Sequence, residues 1–497
     1  MKLNFVRSVS LLSIFYFGVL IAPILVILLQ VPSIEMGSIK GIWPMLKFSF
    51  YQASLAATLV MFFSSFSALS LVNASDKKWS YWQPLLLLPS FLPTIVVVFS
   101  VVNFWERFSQ FPFGLKGIVV LHCIILLGIS IVSMRQNILV ASESALRLLT
   151  VSAPTFINLW WHGFFMPTRR LLLRQWILYF GICWGSFSVP FLAGDGFGQT
   201  VETLIYQWIK IDLNWPGAAG MAILQVMILF LLSLAVDEKF TLPTRYKFWE
   251  FHELNKKFSI FKSLPILAFL FAVVGNFSLI KGGFKLILAD RVLLKKIFSA
   301  TYLTIQISLW SMGISFFLLI AMLYLIRKSK CLKKFIQSYF APSTAVMGFG
   351  VLLLSLIFGG QRELWLGFGL SLSVVGFLYR WRLEAVDRSL DRQEKFAYVN
   401  GVGPVRSFLL IVIPQMWLPL FSCLGLVSIW TLGDFAYSKI LLQGSKTIGL
   451  LVAEFLGGYR LDVANAAVCI LLIFALVQFL VILGVGVVTD RKFKSHL

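Results

Sequence analysis

The stretch that decides the fold is a short polar segment at residues 394–401, which reads Glu-Lys-Phe-Ala-Tyr-Val-Asn-Gly and lies between two apolar runs. Glu394, Ala397 and Gly401 stand at positions i, i+3 and i+7, which share one face of a helix. Gly401 has no Cβ, so it can take a positive φ and let another backbone approach closely. Pro414 then marks the start of the next apolar run. This pattern predicts a short helix between two membrane spans.

The composition predicts a protein that lies mostly within a membrane. Hydrophobic residues make up 59% of the 497 residues, and charged residues make up only 13%. A soluble domain carries about 45–50% apolar and about 25% charged residues. Because one helix needs about 20 mostly apolar residues to cross the hydrocarbon, we expect an all-α polytopic membrane protein with about 12 transmembrane helices. The predicted spans are 9–31, 49–72, 84–105, 114–134, 171–193, 216–236, 263–281, 299–326, 342–360, 363–380, 409–431 and 463–488.

The first predicted span, 9–31, has the look of a signal peptide because Lys2 and Arg7 precede it. Its apolar run is longer than the roughly 7–15 residues of a signal-peptide core, and no cleavage site of small residues follows it. We therefore expect this segment to stay in place as a span.

The distribution of charge predicts the side of the membrane on which each loop lies. The formal net charge is +22. With the N-terminus in the cytoplasm, most lysines and arginines fall in cytoplasmic loops, with dense clusters at 239–262 and 327–334, as the positive-inside rule predicts. An even number of spans puts the C-terminus in the cytoplasm too. We interpret the basic residues as signals for orientation and as contacts to anionic lipid headgroups, not as a nucleic-acid surface.

The sequence carries no motif for catalysis or for a metal site. None of the five cysteines forms a Cys-x-x-Cys pair, so neither a zinc site nor a disulfide framework is predicted. His252-Glu253 opens like the helix motif of zinc proteases, but Lys256 stands where the second histidine belongs. No phosphate-binding P-loop occurs, so any ATP chemistry belongs to another polypeptide. We expect no catalytic residue, no metal ligand and no cofactor on this chain.

Repeated features predict that the chain is an internal duplication. Three pairs of features recur at the same spacing of 247 residues. They are Pro167 and Pro414, residues 200–208 and 447–455, and Ala218-Ala219 and Asn465-Ala466. We therefore expect two tandem halves, 1–236 and 263–497, with six spans each and the same direction through the membrane, which is a parallel repeat. The basic stretch 237–262 is the predicted cytoplasmic linker.

A chain of this organisation resembles the permeases of the ferric-iron and thiamine branch of binding-protein-dependent ABC importers. Residues 384–414 resemble the EAA loop of those permeases. The loop of the first half, 135–170, is degenerate. In that loop Ala145, Leu148 and Ser152 stand where Glu, Ala and Gly are expected, and Pro154 and Pro167 follow.

The resemblance implies a transport subunit that is not an enzyme, in the inner membrane of a bacterium. Its partners would be two copies of a cytoplasmic ATPase, which binds ATP and Mg²⁺, and an extracytoplasmic substrate-binding protein, with transport by alternating access. The ATPase would dock on Glu394, Ala397, Gly401 and Pro414, and in the first half on Ser152, Pro154 and Pro167. Three arginines that flank the second loop either pair with acidic residues of the ATPase or are ordinary cytoplasmic charges. They are Arg388, Arg392 and Arg406.

The cargo implied by the resemblance is a small cation, with thiamine slightly favoured over ferric iron. Asp434, just past the eleventh span, either attracts the cation, caps the span end, or pairs with Lys439 or Arg460. Glu202 and Glu454 lie in the outer segments that follow the fifth and eleventh spans, where they either form the outer mouth or are solvated. The segments 200–207, 433–435 and 458–460 carry the likeness to thiamine permeases.

Two other classes of protein are alternatives. A secondary transporter would carry polar or charged groups at broken helices in the middle of the membrane, and such groups are scarce here. A membrane-embedded enzyme would need convergent His, Asp or Glu groups, and the sequence contains no such cluster. A further expectation concerns the outer stretch 282–296, whose lysines alternate with apolar residues, as is typical of an amphipathic helix in the membrane interface.

Overall fold

Every secondary-structure element in the described part of the chain is helical, which confirms the all-α class. The computed structural model describes residues 16, 18–29, 39–71, 76–138, 155–194, 199–234, 259–277, 280–327, 329, 343–442, 444–458 and 460–494.

Helices of six or more residues in this part of the chain are numbered α1 to α19. The first nine are α1 (Gly18–Leu29), α2 (Ile39–Leu71), α3 (Asp76–Phe91), α4 (Thr94–Trp105), α5 (Leu115–Asn137), α6 (Met166–Trp184), α7 (Ser188–Ala193), α8 (Val201–Lys210) and α9 (Trp215–Leu234). The others are α10 (Ser263–Val273), α11 (Ile280–Ala289), α12 (Arg291–Ile326), α13 (Thr344–Phe358), α14 (Arg362–Leu378), α15 (Glu384–Val399), α16 (Ile413–Leu432), α17 (Ala436–Leu441), α18 (Ile448–Gly457) and α19 (Leu461–Lys494). Turns of π-helix precede α6, α15 and α16, at Leu159–Phe165, Tyr379–Leu383 and Phe408–Val412.

Six helical segments among the described residues are long and apolar enough to cross a membrane, so the chain is a multi-pass membrane protein. They are Gly41–Leu71, Leu115–Arg135, Trp215–Leu232, Arg291–Ile326, Pro404–Leu432 and Leu461–Thr489. Each overlaps a predicted span. Apolar helices at Gly18–Leu29, Ile260–Val273 and Thr344–Phe358 are shorter. The total of twelve spans therefore stays a prediction.

The predicted span 84–105 is not a single straight helix. Its two parts, Leu85–Phe91 and Thr94–Trp105, meet at a bend of 109° and form either one broken span or a re-entrant loop. Pro93 stands at the break. A proline has no amide hydrogen to donate, and its ring disfavours helical geometry at the residue before it. The helix consequently stops at Phe91 and starts again after Pro93.

The chain divides into two compact units, each described here by itself. The first unit comprises residues 1–37, 204–227 and 281–497, and the second comprises 38–203 and 228–280. The predicted division into halves at 1–236 and 263–497 stays a prediction. Most of the predicted linker, residues 237–258, lies outside the described residues.

In the first unit, α12, α14, α16 and α19 form the main packed layer. Close packing of α16 against α19 depends on small residues. A Cβ at Gly425 would lie 2.7 Å from the ring of Phe479, and one at Gly486 would lie 2.6 Å from Phe421. Small residues let helices in a membrane approach closely, and polar side chains then add hydrogen bonds between them.

In the second unit, α2 packs against α5 and α6. The Gln52 side chain of α2 donates to the carbonyl oxygen of Cys183 on α6 at 3.0 Å. The hydroxyl of Ser130 on α5 donates to that of Ser64 on α2 at 2.7 Å. These buried hydrogen bonds hold three apolar helices together at fixed positions along their axes.

The outer stretch 282–296 forms two helices instead of the one predicted. Helix α11 ends at Ala289, and α12 begins at Arg291. The carboxylate of Asp290 between them accepts hydrogen bonds from the amides of Val292 at 2.9 Å and Leu293 at 3.2 Å. An aspartate in this position satisfies amides that a new helix leaves without partners, so it starts α12.

Candidate functional site

The segment Glu394–Gly401 lies on α15, a polar helix between the two apolar helices α14 and α16. Glu394 and Ala397 are on the buried face of α15. Gly401 is not part of the helix, which ends at Val399. The expectation that all three residues share one helical face therefore holds for the first two and is wrong for Gly401.

Gly401 ends α15 because it adopts a positive φ of 81°. Its amide donates to the carbonyl of Tyr398 at 3.1 Å, and the amide of Val402 donates to that of Ala397 at 3.0 Å. This pair of hydrogen bonds is the Schellman motif, in which glycine reverses the chain and satisfies the last carbonyls of the helix. A Cβ at Gly401 would have no neighbour within 4 Å in the described chain. Gly401 thus leaves open space beside the turn.

A buried arginine joins α15 to the end of α12. The side chain of Arg327 is only 6% exposed, and its guanidinium pairs with the carboxylates of both Asp387 and Glu394. Its Nε donates to Oδ1 of Asp387 at 2.8 Å, and Nη2 also donates to the backbone carbonyl of Asp387 at 3.2 Å. We refer to these three residues as the Arg327 cluster.

Two tyrosines complete the hydrogen bonding of the carboxylates in the Arg327 cluster. The hydroxyl of Tyr379 donates to Oδ2 of Asp387 at 3.0 Å, and the hydroxyl of Tyr398 donates to Oε1 of Glu394. Burial of two ions is costly unless their remaining hydrogen-bonding positions are satisfied. Here each carboxylate oxygen that is described has a donor, which lets a charged cluster persist in a buried place.

The electrostatics of the Arg327 cluster favour its charged form. Burial alone lowers the pKa of Arg327, but the carboxylates of Asp387 and Glu394 outweigh this effect, so the pKa is raised overall. Burial, and next the hydrogen bond to Glu394, raises the pKa of the Tyr398 hydroxyl. Tyr398 therefore stays protonated and remains a donor at neutral pH.

The opposite face of α15 presents apolar side chains to solvent. Phe396 is 73% exposed and Val399 is 86% exposed, although both stand on an otherwise polar helix. Val405, Leu409 and Leu410 continue as exposed residues into the turns before α16. Exposed apolar residues that cluster together are typical of a surface that contacts a protein partner or a membrane. We refer to Phe396 and Val399 as the exposed ridge of α15.

The flanking arginines are only partly described. The side chains of Arg388 and Arg392 lie outside those that the structure describes, and Arg406 is exposed. Gln415 on α16 donates to Gln393 on α15 at 2.7 Å. This contact gives α15 a second attachment, to the helix that follows it.

The two prolines of the predicted repeat occupy matching places. Pro167 lies in the first turn of α6, after a π-helical turn, and Pro414 lies in the first turn of α16, also after a π-helical turn. A proline cannot donate to the preceding turn of a helix, which disturbs the regular hydrogen-bond pattern at that point. Ser152 and Pro154 of the first loop lie outside the described residues.

Asp434 acts as a cap of the short helix α17. Its carboxylate accepts hydrogen bonds from the amides of Tyr437 at 3.3 Å and Ser438 at 2.8 Å, and from the Ser438 hydroxyl at 2.9 Å. Burial raises the pKa of Asp434 to about 6, although these hydrogen bonds act to lower it. Among the roles considered for Asp434, its contacts match that of a helix cap. The capped helix is α17, which follows the span.

The other two acidic residues considered for the cargo path have different surroundings. Glu202 is fully buried in the first turn of α8, which does not match the alternative of a solvated side chain. Glu454 is 46% exposed and pairs with Lys446 at 2.6 Å. The described residues contain no group of three or more His, Cys, Asp or Glu side chains arranged to hold a metal ion.

The chain is similar to curated permeases of thiamine transport. It is 27% identical over 250 residues to the thiamine transport system permease protein ThiP of Haemophilus influenzae, covering 45% of each chain. It is 26% identical over 208 residues to the ThiP of Escherichia coli, covering 37% of this chain and 38% of the relative. It is also 26% identical over 212 residues to the ThiP of Salmonella typhimurium, covering 39% of each chain. These similarities confirm the resemblance to thiamine-branch permeases.

The similarity covers part of each protein. The chain spans less than half the length of the curated relatives it matches. No protein-family model matches the sequence. No solved structure matches it either.

The roles of Arg327, Asp387 and the two tyrosines of the site were not predicted from the sequence. Arg327 stands in a basic cluster typical of orientation signals, and its partners lie 60 and 67 residues further along the chain. One feature of the sequence could have revealed this cluster. Asp387 and Glu394 stand seven residues apart, which is about two turns of helix, so they share a face of α15. Two acids on one buried face require a cation.

Proposed function

We propose that this chain is the permease subunit of an ATP-driven ABC importer in a bacterial inner membrane, and that its cargo is thiamine delivered by a binding protein. The observation that carries the proposal is the two-sided character of α15. One face is fixed to the chain by a buried ion cluster, and the other presents the exposed ridge. A helix of this kind suits a protein partner on the cytoplasmic side, because it is rigid and apolar where the partner would bind.

In this function α15 docks on a cytoplasmic ATPase. Two ATPase copies would hold ATP and Mg²⁺ and move α15 as they close, and the spans would alternate between inward and outward openings. Rigid-body movement of packed helices is a common way to carry such a change. The proposed docking segment contains Glu394, Ala397, Gly401 and Pro414, with Ser152, Pro154 and Pro167 in the first loop. Glu394 and Ala397 hold the segment in place through its buried face, and we propose that Phe396 and Val399 make the direct contact.

The proposal includes two tandem halves of six spans with both termini in the cytoplasm. One pair of hydrogen bonds supports it. In the second unit, the amide of Val201 at the start of α8 donates to the hydroxyl of Ser49 on α2 at 2.9 Å. In the first unit, the amide of Ile448 at the start of α18 donates to the hydroxyl of Thr304 on α12 at 3.0 Å. Val201 and Ile448 have the same spacing of 247 residues as the two prolines.

Thiamine is proposed over ferric iron because the three curated relatives are named as thiamine permeases. For the cargo path we propose segments of the chain and not individual residues that bind the cation. Since the carboxylate of Asp434 is engaged in the cap of α17, we place Asp434 beside the path as a positioning residue. Glu202 and Glu454 keep their proposed places near the outer mouth.

Co-purification of the ATPase tests the docking surface. The substitution Phe396→Asp places a charge on the exposed ridge and should abolish co-purification of the ATPase, while the chain keeps its normal abundance in the membrane. Phe108→Asp is the matched control, since Phe108 is 76% exposed in a loop between α4 and α5. It should leave the amount of bound ATPase unchanged. Equal binding by both variants would show that α15 is not the docking surface.

A further inference from the structure

The Arg327 cluster gives α15 an attachment to a membrane span that is more specific than apolar packing. Arg327 follows directly after Ile326, the last residue of α12. Its guanidinium reaches Asp387, near the start of α15, and Glu394, seven residues later. Two charge-assisted contacts made by one planar group fix both position and orientation. Because the acids are separated by about 10 Å along the helix axis, α15 cannot slide or rotate against Arg327 without breaking one of them.

Helix α12 is placed to pass movement into the membrane. It packs against α14 and α16 in the first unit. A displacement of α15 that keeps its contacts to Arg327 must therefore pull on α12, and through it on its neighbours. A packed helix transmits such a displacement as a unit because protein interiors resist compression.

At the two positions of the first half that correspond to Arg327 and Glu394, the sequence has uncharged residues. Ser49 and Thr304 make equivalent hydrogen bonds and stand 255 residues apart. Val72 therefore stands where the second half has Arg327. Ala145 stands where the second half has Glu394. A buried cation and its carboxylate are kept or lost together, because either alone is strongly unfavourable.

We infer that Arg327 is a positioning residue that transmits movement of α15 to span α12. This inference rests on the proposed function. It assigns to the second half a rigid ionic joint between the proposed docking helix and a span.

Transport per ATP hydrolysed, measured in proteoliposomes with the ATPase and a thiamine-loaded binding protein, tests the inference. Arg327→Met should still bind the ATPase, because the exposed ridge is untouched, and should still hydrolyse ATP. Thiamine taken up per ATP should fall by roughly tenfold, within the usual range of coupling between linked sites. Thiamine uptake per ATP by Arg327→Lys should lie between the values for the unchanged chain and Arg327→Met, since an ammonium cannot reproduce the forked contacts of arginine. Lys295→Met is the control, because Lys295 is an exposed cation on the same helix.

A triple variant without charges in the Arg327 cluster serves as a control for loss of folding. Arg327→Met leaves two buried carboxylates without their cation, which can unfold the segment. Combining it with Asp387→Asn and Glu394→Gln removes all the charges and keeps groups that accept hydrogen bonds from the tyrosines. The triple variant should fold and still show the reduced uptake per ATP, a ratio that does not depend on how much ATPase it binds. Uptake per ATP equal to that of the unchanged chain, in either variant, would overturn the inference.

The same assay separates this inference from the proposed function. If the unchanged chain binds no ATPase and takes up no thiamine, the proposed function fails and the coupling role falls with it. If the unchanged chain transports normally and the Arg327 variants do too, only the coupling role fails.

Discussion

Arg327 donates through Nε to Oδ1 of Asp387 at 2.8 Å, and this contact joins the end of α12 to the first turns of α15. A polar segment between two membrane helices is held to the chain by charge, while its outer face keeps apolar residues exposed. This arrangement suits the docking role proposed for α15. One face is fixed to the rest of the chain, and the other is exposed.

Gly401 offers a test that separates chain folding from docking. Its φ of 81° costs a residue with a Cβ roughly 1–2 kcal/mol, while asparagine tolerates this conformation better. Gly401→Val should lower the melting temperature of the purified protein, and Gly401→Asn should lower it much less. Since a Cβ meets nothing within 4 Å in this chain, any loss of uptake in a stable Gly401→Asn variant must come from a partner that lies close to the turn. Normal uptake by that variant would show that no partner backbone approaches Gly401.

Asp434 should tolerate asparagine but not alanine. Asparagine keeps a side-chain oxygen that can cap α17, whereas alanine loses the cap at a cost of about 0.5–2 kcal/mol. The abundance of Asp434→Asn and its KM for thiamine uptake should match those of the unchanged chain. A KM several times higher in the asparagine variant would mean that the carboxylate meets the cation directly.

The pKa of Asp434 predicts how stability depends on pH. Its folded pKa is raised from 3.8 to about 6. The folded protein therefore holds this proton more tightly than the unfolded chain does. The stability contributed by the protonated carboxyl is full below about pH 4 and is lost as the pH rises through about 6. The melting temperature of the unchanged chain, relative to Asp434→Asn, should fall between pH 5 and pH 7. A difference that stays constant over this range would contradict the burial of the carboxylate.

The matching hydroxyls of Ser49 and Thr304 predict matching losses of stability. Ser49→Ala and Thr304→Val each leave a buried backbone amide without its acceptor, which costs about 1–3 kcal/mol. Thr301→Val is the control, because the Thr301 hydroxyl donates to the carbonyl of Ile297 within its own helix. Thermal unfolding in detergent should show similar decreases for Ser49→Ala and Thr304→Val and a smaller one for the control. A loss in only one half would argue against equivalent positions.

The sequence predicted the parts of the fold that depend on composition and length. Apolar runs near the thickness of a bilayer predicted the helices that contain Ala56, Ile125 and Leu424, because span length is a local property. The bend at Pro93 was not predictable, since prolines occur within many membrane helices and their effect depends on neighbouring helices. A capping role for Asp434 was among the alternatives, but for the end of the span and not for α17, whose amides it contacts.

The sequence predicted where the candidate site lies but not which residues form its contacts. The spacing of Glu394 and Ala397 predicted that they share one helical face, and they do, but that face is buried within the chain and not exposed. The partner of Glu394 was invisible because Arg327 stands 67 residues earlier in a cluster of like charges. The exposure of Phe396 and Val399 could not be predicted either, because apolar residues on a short helix are more often buried. The pairing of Glu394 with Arg327 and the exposure of Phe396 and Val399 both depend on tertiary contacts and not on local sequence pattern.

The most direct test of the central claim is uptake of labelled thiamine into proteoliposomes that contain this chain, the ATPase and the thiamine-loaded binding protein. The account predicts uptake that requires ATP and is lost in Phe396→Asp but kept in Phe108→Asp. Uptake that continues at the same rate without ATP, or that is equal in the two variants, would contradict it.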